Sequence, residues 1–138
     1  MNTPRPLIDA PATAAWLAPY REGLARRELR LPRCAVCGAW DWYPSAATSS
    51  CHHAPLHWQA IAPGAEVFTF TRVERPLLSG VDQSYDVGLV CPDDAPACRI
   101  ATRLVAWGGD IAIGRRARLA FSAEGGSVFP YYMVEVSA

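Results

Sequence analysis

Arg33-Cys34-Ala35-Val36-Cys37-Gly38 carries two thiols with two residues between them, followed by a glycine. That spacing suits one half of a zinc knuckle. A tight turn aims both sulfurs the same way, and a residue without Cβ lets the backbone close around the metal. A third cysteine, Cys51, follows after thirteen intervening residues counted from Gly38. A complete ribbon repeats the Cys-x-x-Cys pair, but here the second half reads Cys51-His52-His53-Ala54. The expected metal set is therefore Cys34, Cys37, Cys51 and His53, with His52 and His57 competing for the fourth place. A thioredoxin-like redox pair would open a helix after a strand, whereas Gly38-Ala39-Trp40 reads as a hairpin. Three ligands and an open position would suit catalytic zinc. Asp41 is the only acid close by, and no glutamate near the knuckle is placed as a general base. Structural zinc is the expectation.

Outward from the knuckle, Glu28 to Arg33 alternates as a strand entering it, and Ala39 to Pro44 as the strand leaving it. Residues 26–56 form this ribbon, about thirty residues, below the roughly 40 at which an apolar core alone usually suffices. A bound zinc adds on the order of 10–16 kcal/mol in zinc-finger peptides, enough to decide folding for such a piece. Packing on a larger neighbour is the other solution.

That neighbour is residues 57–138. Five strands are expected: Leu56 to Glu74 bent at Pro63-Gly64, then Tyr85 to Cys91, Cys98 to Trp107, Arg116 to Ser122 and Val128 to Val136. In the first, Phe68 and Phe70 share one face, with Val67, Thr69, Thr71 and Val73 on the other. Pro92-Asp93-Asp94-Ala95-Pro96 is turn chemistry, read as solvated. Five short strands with a bent first one fit a small closed barrel of the oligonucleotide/oligosaccharide-binding (OB) type. Cys91 and Cys98 flank the turn, and Cys91 is read as a small buried hydrophobe.

Residues 1–25 are an arm and a helix. Pro4, Pro6 and Pro11 mark the arm as extended, and Thr13 is the expected N-cap. Trp16, Leu17, Tyr20 and Leu24 recur at helical spacing, with Pro19 either kinking the helix or starting a turn. The apolar face carrying Trp16 and Leu17 packs on its own domain or docks on another subunit; the pattern fits both. Leu77-Leu78, in a polar loop, with Phe129, Tyr131 and Tyr132, complete the expected partner contacts.

Formal charge is zero, and all thirteen basic residues are arginine. Nucleic-acid binders usually draw affinity from positive excess, so an oligonucleotide-binding OB protein is the second reading rather than the first. Arg26, Arg27, Arg30 and Arg33, and Arg115, Arg116 and Arg118, form two groups able in principle to hold phosphate. The simpler role for each is solubilising a helix end or an outward strand face. Met1 to Pro6 lacks the apolar core of a secretory signal, no run is long enough to span a bilayer, and five cysteines do not pair evenly. A cytoplasmic protein without a disulfide framework is expected.

The order of parts resembles a bacterial and archaeal family known as domain of unknown function thirty-five. The carrying residues are Tyr20-Arg21-Glu22-Gly23-Leu24, Leu31-Pro32-Arg33-Cys34-Ala35-Val36-Cys37-Gly38, Trp42-Tyr43-Pro44, Gly64 to Thr71, and Ile113 to Leu119. The resemblance covers nearly the whole chain. It implies a mostly β protein: an N-terminal helix, a rubredoxin-like zinc ribbon and a five-stranded OB barrel. It further implies a non-catalytic accessory subunit that stabilises a thiolase-like enzyme (thiolase, side-chain aldolase or C-acyltransferase) acting on acyl-CoA or β-ketoacyl substrates. Contact with the CoA ester is also implied. Ala54 departs from the pattern, standing where many relatives have the fourth cysteine.

Overall fold

The computed structural model describes residues 17–42, 56–75 and 83–136. Helix α1 (Ala18–Ala25) begins with Pro19 in its first turn, where the missing N–H is no loss. Leu17 is its N-cap, without a side-chain bond, so Thr13 is not the cap and Pro19 starts the helix rather than kinking it. Gly23, which weakens the helix in sequence terms, is buried. A Cβ there would sit 2.9 Å from the Glu28 carbonyl oxygen and 2.9 Å from Arg30 Cγ. The chain reverses at that point: the Glu28 N–H donates to the Gly23 carbonyl at 2.8 Å, and Arg27 takes φ 58°, the left-handed position usual for glycine after a helix.

Strand β1 (Arg30–Cys34) runs antiparallel to β2 (Leu56–Ala60), pairing Arg30 with Ala60 and Cys34 with Leu56. The ribbon therefore extends to Ala60. Leu56 to Ala60, expected as the start of the first barrel strand, lies instead in this separate two-stranded sheet. Pro63-Gly64 reads equally as a bend within one strand, so the sequence alone did not mark the change of sheet.

The barrel comprises β3 (Gly64–Val73), β4 (Tyr85–Pro92), β5 (Ile100–Val105), β6 (Arg116–Glu124) and β7 (Ser127–Val134). Their order is β3-β4-β5-β7-β6, closing on β3. Every pairing is antiparallel except β5 with β7, a short parallel joint of Leu104 with Tyr132 and Val105 with Met133. A register shift between Val67 and Thr69 splits the first barrel strand. Val67 faces the core, fully buried, while Thr69 and Thr71 are exposed. The expected single face of Val67, Thr69, Thr71 and Val73 does not hold: beyond the bulge, Phe68 to Arg72 are all exposed. Opposite the bulged half, Gly88 leaves room for the β3 backbone. A Cβ there would overlap the Thr69 carbonyl oxygen and lie 2.7 Å from Leu104 Cδ1.

One apolar core joins ribbon and barrel. Leu29, Leu31 and Ile61 are buried with Ala65, Val67, Val90, Ile100, Leu104, Ala117, Tyr132 and Val134, and Tyr20, Leu24, Trp40 and Trp42 pack against them. Burying each leucine contributes about 1.5–3 kcal/mol. The connection is locked by the turn after β4. The Asp93 N–H donates to the Gly64 carbonyl at 3.0 Å, and Asp94 Oδ2 accepts from the Ala62 N–H at 2.7 Å. The Asp93 carboxylate takes the Arg116 guanidinium through both oxygens, at 2.9 and 2.5 Å. The Asp93-Asp94 pair is a solvated turn, as expected, and also a clasp across three segments.

Gly88→Ala is expected to destabilise the protein by about 1–3 kcal/mol, the range for an overpacked core, read as a lower urea midpoint at unchanged slope. The hydrogen bond from Arg116 holds the Asp93 carboxyl below the usual carboxylate range. Its contribution is therefore complete above the unfolded value, roughly pH 4, and is lost as pH falls through the lower folded value. Asp93→Asn should remove that part of the acid-side slope in stability, measured by denaturation from pH 2 to 6.

Candidate functional site

Two places bear on function: the knuckle and the apolar surface of the barrel. At the knuckle, the Cys34 N–H donates to the Ala39 carbonyl at 2.8 Å, and the Gly38 N–H to the Cys34 carbonyl at 3.0 Å. Gly38 takes φ 74°, the left-handed region that the Cys-x-x-Cys-Gly reading required. Two backbone donors point at one sulfur: the Val36 N–H lies 3.3 Å and the Cys37 N–H 3.4 Å from Cys34 Sγ. Donors aimed at sulfur favour the thiolate, the form that ligates metal. Arg33 braces the loop, donating to the Gly38 carbonyl at 2.9 Å and lying 4.8 Å from the Trp40 ring centroid. Cys34 is buried and Cys37 exposed.

Cys51 and His53, with the competing His52, lie outside the described residues. His57 is described: it pairs with Arg33 and is exposed, whereas Cys34 pairs with Leu56. Neighbours along a strand point to opposite faces, so His57 shares a face with Arg33 and not with Cys34. Among the described residues, no three His, Cys, Asp or Glu side chains are grouped to hold a metal ion. The two sulfurs and their donors fit half of a zinc site.

Of the expected partner contacts, Trp16, Leu77 and Leu78 lie outside the described residues. Leu17 is buried, which favours the helix packing on its own domain at that position. Tyr132 corrects the expectation outright. Its ring is fully buried opposite Leu104, because β7 alternates and puts Tyr132 and Val134 inside. Burial pushes its hydroxyl pKa up. Phe129 and Tyr131 remain half-buried. The large apolar side chains that are exposed among the described residues are Val36, Phe68, Phe70, Trp107 and Ile113. None was singled out from sequence; Phe68 and Phe70 were visible as aromatics in a strand, but their exposure was not.

The remaining candidates are absorbed by the fold. Cys91 and Cys98 are unlinked. Cys98, not Cys91, is the buried one, and burial with the nearby Asp41 charge pushes its thiol up, away from reactivity. Arg30 pairs with Glu28 at 3.0 Å and Arg116 with Asp93. Arg99 lies 4.3 Å from the Phe68 ring and Arg103 4.3 Å from the Tyr85 ring, so two barrel aromatics already carry an intramolecular cation. No helix among the described residues is long and apolar enough to cross a membrane.

No protein-family model matches the chain, and no curated protein matches it. Six chains of solved structures do. One, from a structure described as an "Ltp2-ChsH2(DUF35) aldolase", is 23% identical, with 96% of this chain and 100% of that chain covered at a TM-score of 0.75. Another, a protein of unknown function from the DUF35 family of Sulfolobus solfataricus, is 14% identical, covering 89% of this chain and 87% of that one at a TM-score of 0.63. From helix to last strand, this chain has the fold of the DUF35 proteins.

Proposed function

We propose that this chain is a DUF35-family accessory subunit: a zinc ribbon on an OB-type barrel that binds and stabilises a thiolase-like enzyme acting on acyl-CoA or β-ketoacyl substrates. One observation carries the reading. The chain matches, end to end, a chain of the Ltp2-ChsH2(DUF35) aldolase, a structure whose name joins such a domain to a second component. The strand order, with its parallel joint between the third and fifth barrel strands, supports the OB type. Catalysis belongs to the larger partner in this reading. The reactive side chains singled out from the sequence are spent on structure: Cys98 is buried with a raised pKa, and Asp93 is engaged by Arg116. A nucleic-acid role has less support, since the stacking faces of Phe68 and Tyr85 are occupied by arginines.

Co-expression with a thiolase-fold enzyme encoded beside this chain should give one complex by gel filtration, with enzyme stability or turnover falling when this chain is omitted. Separate elution with unchanged activity would refute the reading. Within it, Cys34 and Cys37 hold a structural zinc completed by Cys51 and His53. Zinc there cross-links the ribbon and supplies no chemistry to a substrate. About one zinc per chain is expected by elemental analysis. Cys34→Ser should lose the metal and lower the thermal midpoint, and a chelator should do the same to the unsubstituted protein. Protein that purifies without metal and is indifferent to chelator would contradict this.

A further inference from the structure

Three segments of the ribbon meet at one guanidinium. Arg33 pairs with His57 of β2 on one side and bridges to Trp40 of the returning segment on the other. Residues directly opposite in an antiparallel pair share a face, and the Arg33 guanidinium carbon lies 4.8 Å from the Trp40 ring centroid. Its Nε donates to the Gly38 carbonyl at 2.9 Å, and Nη1 reaches Gln59 Oε1 at 3.4 Å. One planar fork thus spans the knuckle turn, the segment that leaves it, and β2, the strand that follows Cys51 and His53 in the chain.

The two thiols of the knuckle are held differently. Cys34 is buried, its N–H bonds to the Ala39 carbonyl, and its sulfur receives two backbone donors. Cys37 is exposed, and its place beside Cys34 depends on the next residue, Gly38, at φ 74°. Both peptide groups of Gly38 are bonded. Its N–H donates to the Cys34 carbonyl at 3.0 Å, and its carbonyl accepts from Arg33. One anchor is therefore the backbone of the first thiol residue, and the other is the Arg33 side chain. Glycine is the residue freest to leave a given φ, so a turn built on it gains most from a second anchor.

We infer that Arg33 is the positioning residue of the metal loop: its fork keeps the Gly38 turn, and with it the Cys37 sulfur, in the pose that receives zinc beside Cys34. This rests on the structural-zinc reading and adds a group outside the ligand set on which metal capture depends. The planar fork is what matters, beyond its charge. A lysine ammonium is a point charge on a flexible stem, and it cannot donate to Gly38 while stacking flat on Trp40.

Metal binding by the full chain tests the inference, with Arg33→Lys and Arg33→Met beside the unsubstituted protein. In competition with a chromophoric chelator, both variants should hold zinc about tenfold or more weakly, the range for groups that orient metal ligands from outside. Cobalt(II) gives a spectroscopic readout: the sulfur-to-cobalt charge-transfer band should still form in both variants, but only at correspondingly higher cobalt. The urea midpoint in excess chelator, where no metal contributes, should stay close to that of the unsubstituted chain. Full affinity in Arg33→Lys would reduce Arg33 to its charge and overturn the inference. A urea midpoint that falls in step with metal affinity would do the same, as the mark of a general packing role. If the unsubstituted chain binds metal and both variants bind it equally well, the zinc reading stands and this inference alone fails. If the unsubstituted chain binds neither zinc nor cobalt, both fall.

Discussion

The ribbon cannot hold itself, and everything else follows from how the barrel holds it. Leu29, Leu31 and Ile61 have no core of their own; they are buried because Val67, Val90, Tyr132 and Val134 present an apolar floor. The orientation is then set by directional bonds. Asp94 caps the Ala62 N–H, Asp93 receives Arg116, and the Gly64 carbonyl accepts the Asp93 N–H, all within one short turn. Apolar contact supplies the adhesion and the carboxylates supply the angle. Each is weak alone: an exposed ion pair contributes little, and a non-directional core would tolerate several poses.

This division explains the knuckle. The Cys34 sulfur receives its two N–H donors because β1 is already held on the barrel through Leu31 and the loop is braced by Arg33. A metal held by Cys34 and Cys37 would cross-link a loop that Arg33 and the backbone bonds also brace.

Much of the architecture was legible in the sequence. Cys-x-x-Cys-Gly announced its turn, and the turn residues at Pro92 to Pro96 marked the hairpin between β4 and β5. What stayed hidden depended on tertiary geometry. The alternation that reads cleanly in one dimension ends at the Val67 bulge, beyond which Phe68 to Arg72 are exposed on both faces. Leu56 to Ala60 reads as a barrel strand because a strand carries no mark of which sheet it joins. Asp93 and Asp94 look like ordinary turn residues until Ala62 and Arg116 arrive from elsewhere in the chain. Tyr131 and Tyr132 are adjacent and alike, yet only the strand's phase tells which one fills the core.

The parallel joint between β5 and β7 has a consequence for how the molecule is made. The ribbon's Leu29 and Leu31 share their core with Tyr132 and Val134, which lie about a hundred residues later in the chain. During synthesis Leu29 and Leu31 wait, uncovered, for more than a hundred-odd residues' distance of chain to emerge. Until β7 is seated beside β5, those two leucines lack part of the core that buries them in the folded chain.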